Sequence, residues 1–378
     1  MVEIIGHNIT CALGITSRDT YEAVASGQCG IHLHQASSLG VTEDFMASEV
    51  DTSALQSYGN QPMTRLELMA IHSVNDALSR CDIDVKSPGT LFILSSTKGN
   101  INLLDNVKSG CDIPRDRISL PAMATFIARH FGNLRQPVVV SNACISGLSA
   151  LILAKRLLDT HACDTAVVIG ADELTRFTVS GFQSFKALSP NLCRPFDKDR
   201  QGLNLGEAAA TMILRHCEQP TNGQWYIESG SVHNDANHIS GPSRVGEGSF
   251  RALAAVTAGI KSSDIAVINT HGTATLYNDE MESIAIDRAG LGSVNINAFK
   301  GYLGHTLGAA GILESILSMM SIDNQTLLPT MGFSSSGVSR PINVVSEKRH
   351  TDATIFIKLL SGFGGCNAAA RFRKEVRS

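Results

Sequence analysis

The segment Val138-Val139-Val140-Ser141-Asn142-Ala143-Cys144-Ile145-Ser146-Gly147 joins an apolar run to a stretch of small residues, with a cysteine at the junction. The apolar run predicts a short buried strand, and the pattern that follows predicts a helix over residues 147–158. Cys144 would then lie at the amino-terminal end of that helix, where backbone N–H groups lower the pKa of a thiol. Taken alone, this position suits a nucleophile and also suits a buried structural cysteine, since the chain has nine cysteines.

Two histidines occupy comparable positions elsewhere in the chain. The segment Asn269-Thr270-His271-Gly272-Thr273-Ala274-Thr275 follows the apolar run Ile265-Ala266-Val267-Ile268, and Lys300-Gly301-Tyr302-Leu303-Gly304-His305 precedes a second helix of small residues. Side chains just beyond the ends of buried strands meet at one edge of an α/β sheet, where function is usually located. One cysteine and two histidines are the set needed to hold an acyl thioester and drive a decarboxylating carbon–carbon bond formation.

Charges near the histidines give two further expectations. His305 opens a helix, whose dipole disfavours an imidazolium there, so we expect a neutral hydrogen-bond donor. Lys300 ends an apolar strand predicted over residues 294–299, and such a lysine is commonly solvated. If Lys300 is buried it needs a carboxylate partner, for which Glu282 on the predicted helix 280–289 is the candidate.

Short apolar runs alternate with longer helical patterns along the chain, which favours parallel sheets covered by helices. The small-residue helix after Cys144 has a faint counterpart after His305, which suggests two similar halves with closely packed helices. The other predicted strands are 91–95, 165–170, 209–214, 225–230, 265–269, 354–360 and 368–372. The other predicted helices are 63–80, 250–258 and 308–320, and the main predicted loops are 30–58, 110–121, 220–251 and 332–341.

Composition sets the broad class of the protein. Of the 378 residues, 43% are hydrophobic and 17% are charged, which is typical of a compact globular chain. The formal net charge of −4 gives no reason to expect a nucleic-acid partner. We expect no signal peptide and no membrane span, because no apolar run approaches about 20 residues. A cysteine-containing chain without a Cys-x-x-Cys pair points to a reducing cytoplasm.

Taken together, the motifs resemble the β-ketoacyl-[acyl-carrier-protein] synthases, specifically the elongating Cys-His-His type of the thiolase superfamily. The resemblance begins at Ile5-Gly6-His7-Asn8-Ile9-Thr10-Cys11-Ala12-Leu13-Gly14 and continues through the segment around Cys144. Arg194-Pro195-Phe196-Asp197-Lys198-Asp199-Arg200-Gln201-Gly202, with Gly206-Glu207, is similar to the central signature of the family. The last motif is Gly362-Phe363-Gly364-Gly365, so the resemblance runs nearly from end to end.

The resemblance implies an α/β fold of the thiolase type, with five α-β-α-β-α layers and two pseudo-repeated halves. We place the half that carries the nucleophile at residues 1–216 and the half that carries both histidines at residues 217–378. The implied partner is an acyl carrier protein that presents phosphopantetheine-linked acyl and malonyl groups. A homodimer, or a heterodimer with a related subunit, is also implied, and no metal or redox cofactor is required.

The resemblance also implies catalytic roles. Cys144 would accept the acyl group, while His271 and His305 would bind the thioester carbonyl of the malonyl unit and promote decarboxylation. Lys300, paired with Glu282, would hold the histidine network together.

Substrate contacts are implied in the same way. Thr273 and Thr275 would contact the pantetheine arm, and Gly364 would belong to the substrate-binding loop. The backbone N–H groups of Cys144 and Phe363 would form the oxyanion hole, with Phe363 also gating the acyl pocket.

Other members of the superfamily are less consistent with these residues. A chain-starting synthase of the family would have asparagine at the position of His305. A thiolase would have a second catalytic cysteine, and Cys366, where the family usually has threonine, is better explained as a small buried residue. A non-catalytic chain-length factor usually lacks the nucleophile, but the chain could be the active half of a heterodimer with such a subunit.

The pathway and the docking surface stay open at this point. The compact chain and the segment Ser95-Ser96-Thr97-Lys98-Gly99-Asn100 favour a specialised pathway, such as that of aryl polyene pigments, over housekeeping fatty-acid synthesis. Basic residues that could contact a carrier protein are Arg65, Lys98, Arg115 and Arg117, although surface cations are usually only solvated.

Overall fold

The computed structural model describes residues 1–56, 58, 61–105 and 113–376. The strands in this part of the chain are β1 (Val2–Cys11), β2 (Ile31–His34), β3 (Phe45–Ser48), β4 (Thr90–Ser95), β5 (Val138–Val140), β6 (Thr165–Asp172), β7 (Leu205–Gly206), β8 (Ala208–His216), β9 (Trp225–Asn234), β10 (Ile265–Asn269), β11 (Asn295–Asn297), β12 (Thr326–Leu327), β13 (Asn343–Val344), β14 (Arg349–His350), β15 (Ile355–Gly362) and β16 (Cys366–Lys374). The α-helices are α1 (Ser17–Ala25), α2 (Ala36–Leu39), α3 (Arg65–Leu78), α4 (Leu120–His130), α5 (Ser146–Asp159), α6 (Arg176–Ser184), α7 (Glu247–Thr257), α8 (Leu276–Arg288), α9 (Lys300–Leu303) and α10 (Ala310–Asp323).

Eleven of the described strands form one mixed sheet in the order β13-β11-β10-β15-β16-β9-β1-β8-β6-β4-β5. The order β1-β8-β6-β4-β5 on one side of the β1–β9 contact matches β9-β16-β15-β10-β11 on the other. In each run the first two pairings are antiparallel and the next two are parallel. The expectation of two repeated halves is therefore confirmed.

The prediction of parallel sheets is correct for the outer strands of each half and wrong for the inner ones, which pair antiparallel. β15 and β16 are joined by a short turn, which permits only antiparallel pairing because a parallel neighbour needs a long crossover. β8 likewise lies antiparallel to both β1 and β6. Apolar runs predict that a strand is buried, but they do not determine the direction of its neighbour.

The elements form five layers, three of helices and two made by the halves of the sheet, as the resemblance implied. α5 and α10 pack against each other between the two halves of the sheet. α3 and α4 cover the outer face of the amino-terminal half, and α7 and α8 cover the outer face of the carboxyl-terminal half. None of the helices in the described part of the chain is long and apolar enough to cross a membrane.

Glycines allow the two central helices to touch. A Cβ atom on Gly147 would lie 2.7 Å from the carbonyl oxygen of Gly308, and one on Gly311 would collide with the backbone nitrogen of Leu148. The predicted close approach of the small-residue helices is therefore confirmed. Because both helices begin at this contact, the residues at their amino-terminal ends are brought together between the two halves.

Several elements were not predicted. The predicted loop 30–58 contains strands β2 and β3, which form a small separate sheet with β7. The predicted loop 220–251 contains the whole of β9, of which residues 225–230 were also predicted as a strand, and residues 110–112 of the predicted loop 110–121 lie outside the described residues. Strands β2 and β3 have only four residues each, and sequences this short carry little periodicity.

Candidate active site

Cys144 lies in a tightly bonded turn between β5 and α5. Ala143 has a left-handed backbone with φ of 45°, which costs a non-glycine residue about 1–3 kcal/mol. The hydroxyl of Ser146 fixes the turn, since it accepts from the N–H of Asn142 at 2.8 Å and donates to the carbonyl of Ala143 at 2.6 Å. The thiol is 6% exposed and faces a cavity of about 480 Å³.

The expected low pKa of this thiol is wrong for the resting site. Burial raises the pKa of Cys144 to about 11, although the positive charge of Lys300 and the backbone N–H of Phe363 act in the opposite direction. The cost of removing the thiolate from water raises the pKa by more than the amino-terminal end of the helix lowers it. The resting thiol is protonated, and a base must accept its proton when it attacks.

Both predicted histidines lie beside the thiol. The Sγ atom of Cys144 and ring nitrogens of His271 and His305 are all within 4.8 Å of one another. The two imidazoles meet edge to face, with ring centres 5.1 Å apart and an interplanar angle of 82°. The structure thus brings together three side chains that are separated by up to 161 positions in the chain.

The two imidazoles are neutral. Burial, followed by the charges of Lys300 and Lys358, holds the pKa of His305 well below its usual value, and burial is also the main cause of the low pKa of His271. The Nδ1 atom of His305 accepts from the backbone N–H of Leu307 at 3.3 Å, so its proton is on Nε2. That N–H has no hydrogen-bond partner among the described residues and is available to a substrate oxygen. The expected neutral donor is confirmed.

The predicted pairing of Lys300 with Glu282 is wrong. Lys300 is fully buried, and its Nζ atom donates to Glu314 Oε1 at 2.8 Å and to the carbonyl oxygen of His271 at 2.6 Å. Glu282 instead accepts from the backbone N–H groups of His271 at 2.7 Å and Gly272 at 2.8 Å. Both residues hold the His271 loop, but they do so through its backbone.

Two charged residues of this network were missed. Lys358 Nζ donates to Glu314 Oε2 at 2.5 Å, to Asn269 Oδ1 at 2.6 Å and to the carbonyl oxygen of Thr270 at 3.0 Å. The sequence does contain a signal for both residues. Lys358 is the single charged residue within the apolar strand β15, and Glu314 is the first acid in the otherwise apolar α10. A buried charge in such an element requires a partner.

The cavity wall contains most of the predicted substrate contacts. Thr273, Thr275 and Phe363 line it together with the cysteine and the two histidines. The hydroxyls of the two threonines are 2.9 Å apart. Gly364 is not among the described lining residues, and its backbone instead bonds to Ile239 at 2.7 Å and to the side chain of Asn234 at 2.8 Å.

Phe363 combines a backbone contact with an aromatic cluster. Its N–H points at the thiol of Cys144, and its ring lies 5.7 Å from that of Phe182 and 5.2 Å from that of Phe185. A Cβ atom on Gly362 would lie 3.2 Å from the backbone nitrogen of Cys144, so a side chain there would crowd the strand end against the nucleophile.

Residues of the central signature hold in place the loop that carries Thr273. Asp279 accepts from the N–H groups of Phe196 at 2.7 Å and Thr273 at 3.1 Å, which ties the signature to the threonine wall. Arg200 lies 3.8 Å from Asp279 and donates to the carbonyl of Asp197 at 3.0 Å. The signature residues thus position the loop that carries Thr273.

Two of the four candidate docking cations have structural partners. Arg117 is 8% exposed and bonds to Glu67 at 2.7 Å, and Arg65 forms an ion pair with the buried Glu207. Lys98 and Arg115 are exposed. Arg65 and Arg117 are explained by the buried carboxylates that they neutralise, since an unpaired buried charge is costly.

The five layers, together with a buried cysteine and two neutral histidines, define an enzyme of the thiolase-like class that can form carbon–carbon bonds. Family models described as the N-terminal and C-terminal domains of β-ketoacyl synthase match residues 1–219 and 226–334. The chain belongs to the β-ketoacyl synthase family.

Individual relatives agree with this assignment. The chain is 31% identical over 280 residues to 3-oxoacyl-[acyl-carrier-protein] synthase 2 of Rhizobium meliloti, a match that covers 69% of this chain and 66% of the relative. It is 26% identical over 408 residues to the synthase of the same name from Vibrio cholerae, with 99% of both chains covered.

Solved structures give the same fold. The ketosynthase ApeO, in complex with its chain length factor ApeC from Xenorhabdus doucetiae, superimposes with a TM-score of 0.90 at 26% identity, covering 99% of this chain and 98% of that one. A β-ketoacyl synthase from Burkholderia phymatum gives a TM-score of 0.87 at 24% identity and covers 99% of each chain.

Proposed function

We propose that the protein catalyses a decarboxylating Claisen condensation between an acyl group held on Cys144 and malonyl-acyl-carrier protein, which yields β-ketoacyl-acyl-carrier protein. The observation that carries this proposal is the contact of one buried thiol with two neutral imidazoles, all within 4.8 Å, in one cavity. The names of the relatives, 3-oxoacyl-[acyl-carrier-protein] synthase 2, support the same reaction.

In the first half-reaction the thiol takes the acyl group. A neutral imidazole accepts the proton of Cys144 as the sulfur attacks the carbonyl carbon of the incoming thioester. Negative charge develops on the carbonyl oxygen, which the backbone N–H groups of Cys144 and Phe363 stabilise. The bond to the carrier-protein sulfur breaks, and that sulfur leaves as a thiol with the proton.

In the second half-reaction malonyl-carrier protein enters the same cavity. His271 and His305 bind the thioester carbonyl oxygen, and the Nε2–H of His305 is available to donate to it. Loss of CO₂ leaves an enolate whose charge rests on that oxygen, and its α-carbon attacks the acyl-Cys144 thioester. The new carbon–carbon bond releases the sulfur of Cys144 as a thiolate, which takes up a proton from water. The kinetics are ping-pong.

The other predicted residues have supporting roles in this proposal. Lys300 fixes the backbone of His271, and Glu282 does the same through two N–H groups. Thr273 and Thr275 contact the pantetheine arm, and Phe363 gates the acyl pocket. Gly364 contributes the conformation of the β15–β16 turn, since its φ of 85° is left-handed.

We also propose the wider assignments made from the sequence. These are two halves at residues 1–216 and 217–378, a cytoplasmic location, an acyl carrier protein as partner, and no metal requirement. The positive charges of Lys300 and Lys358 behind the histidines disfavour a bound cation. A heterodimer with a chain-length factor, in a specialised pathway, is the second candidate, and it is favoured by the likeness to ApeO in its complex with ApeC.

Intact-mass spectrometry tests the proposal. The protein is incubated with acyl-carrier-protein thioesters of aliphatic and aromatic acids, and then with malonyl-carrier protein. We expect an acyl adduct that is absent from Cys144→Ala and that disappears as β-ketoacyl product forms. A folded protein that accepts no acyl group with or without a chain-length factor contradicts the proposal. Exclusive use of long saturated chains contradicts the specialised pathway.

A further inference from the structure

Two buried ammonium groups hold three consecutive residues that end at His271. Lys358 Nζ donates to the side-chain oxygen of Asn269 at 2.6 Å, to its carbonyl oxygen at 3.3 Å, and to the carbonyl oxygen of Thr270 at 3.0 Å. Lys300 Nζ donates to the next carbonyl, that of His271, at 2.6 Å. The end of β10 is therefore fixed residue by residue up to the imidazole.

One carboxylate joins the two lysines. Glu314 accepts from Lys300 at 2.8 Å with one oxygen and from Lys358 at 2.5 Å with the other, and all three side chains are buried. The other acid close to Lys358 is Glu282, whose oxygens already accept from the backbone of the His271 loop. Glu314 carries one negative charge for two lysines, and burial raises the pKa of Glu282 to about 7, so positive charge remains behind the two imidazoles.

That charge acts on the catalytic groups. Lys358 contributes to the low pKa of both His271 and His305, after burial and Lys300. A neutral histidine donates from one ring nitrogen and can still accept a proton at the other, whereas a protonated one cannot act as a base. The same positive charge favours an enolate over a neutral substrate, because the enolate is negative. Lys358 does not line the cavity, so it acts through other groups.

We propose that Lys358 is a positioning residue for the decarboxylation half-reaction. It fixes the strand end that carries His271, and its charge keeps the paired imidazoles neutral and stabilises the developing enolate. This inference rests on the proposed condensing function. Its part in the transfer of the acyl group to Cys144 is smaller, because backbone N–H groups hold the oxyanion of that step and the imidazole only accepts the proton of the thiol.

The test compares Lys358→Met with Lys358→Gln. Met removes both the charge and the hydrogen bonds, whereas Gln removes the charge and keeps an N–H donor. Three quantities are measured: acyl-Cys144 formation by intact mass, CO₂ release from malonyl-carrier protein, and the pH profile of CO₂ release. Lys374→Met is the matched control, since Lys374 pairs with Asp323 at 2.7 Å at the surface of the neighbouring strand β16.

We expect CO₂ release to fall about tenfold or more in both variants because the imidazole is misplaced, and acylation to fall clearly less, since its oxyanion is held by backbone N–H groups. The acid limb of the profile moves to higher pH by about one unit in both variants, because removing a nearby cation raises the pKa of the histidines. Lys358→Gln retains a higher rate of CO₂ release than Lys358→Met, but the acid limb moves by the same amount in both variants. The control behaves as wild type.

Each contrary result has a distinct meaning. Wild-type protein that forms no β-ketoacyl product contradicts the condensing function itself. Wild-type protein that condenses, with variants that keep its CO₂ release and acid limb, overturns the role of Lys358. Equal losses of acylation and CO₂ release overturn it as well, and so does failure of both variants to fold, since either result shows a purely structural residue.

Discussion

Glu314 provides the sharpest test of the buried network, through the substitution Glu314→Gln. Its carboxylate is 2% exposed and accepts charge-assisted bonds of 2.8 Å from Lys300 and 2.5 Å from Lys358. A glutamine has one oxygen for two ammonium groups, and its NH₂ group faces one of them. One cation is left buried without a counter-charge, and breaking a buried ion pair in this way costs about 3–5 kcal/mol.

The assay is urea unfolding of the wild type, of Lys358→Met and of three further variants at pH 7.5. The double variant Glu314→Gln/Lys358→Met removes the stranded cation, so we expect it to be more stable than Glu314→Gln alone. Glu247→Gln is the matched control, because Glu247 also contacts two cations, Arg251 at 2.7 Å and Arg288 at 2.9 Å, but lies at the surface. We expect the control to change the midpoint little, since exposed ion pairs contribute little.

Two results refute this reasoning. If Glu314→Gln unfolds at the same urea concentration as the surface control, the two lysines do not depend on the carboxylate. If Lys358→Met lowers the stability of the Glu314→Gln protein by as much as it lowers that of the wild type, the charges are not coupled, because coupling is defined by that difference.

Three further predictions concern single residues. His305→Ala keeps acylation at Cys144 and loses CO₂ release; a folded variant that accepts no acyl group contradicts the division of labour. Gly311→Ala lowers the thermal midpoint, because its methyl group collides with Leu148; an unchanged midpoint contradicts the close packing. Asp197 accepts four hydrogen bonds and, despite burial, has its pKa lowered to about 2. The stabilisation by its carboxylate is therefore present above pH about 4 and lost towards pH 2. We expect the free energies of unfolding of wild type and Asp197→Asn to become equal towards pH 2; a difference that stays constant with pH contradicts this.

The sequence alone located the chemistry. Cys144, His271 and His305 each follow a predicted strand, and strands of parallel βα units end at the same edge of a sheet, so their proximity could be expected. The burial of β10 and β15 follows from their apolar runs, which only Lys358 interrupts, and glycines at the starts of α5 and α10 indicated closely packed helices. Local signals of this kind depend on a few neighbouring residues, so the sequence contains them.

Only the tertiary structure decided how the charges are paired. Glu314 is 14 residues from Lys300 and Glu282 is 18, so separation along the chain does not choose between them. Lys300 pairs with Glu314, which it shares with Lys358, because α10 lies between the two halves of the sheet. The high pKa of Cys144 likewise follows from complete burial, which the helix-terminus argument did not include. Charge pairing and desolvation depend on which elements pack against one another, and no local sequence pattern encodes the distances between those elements.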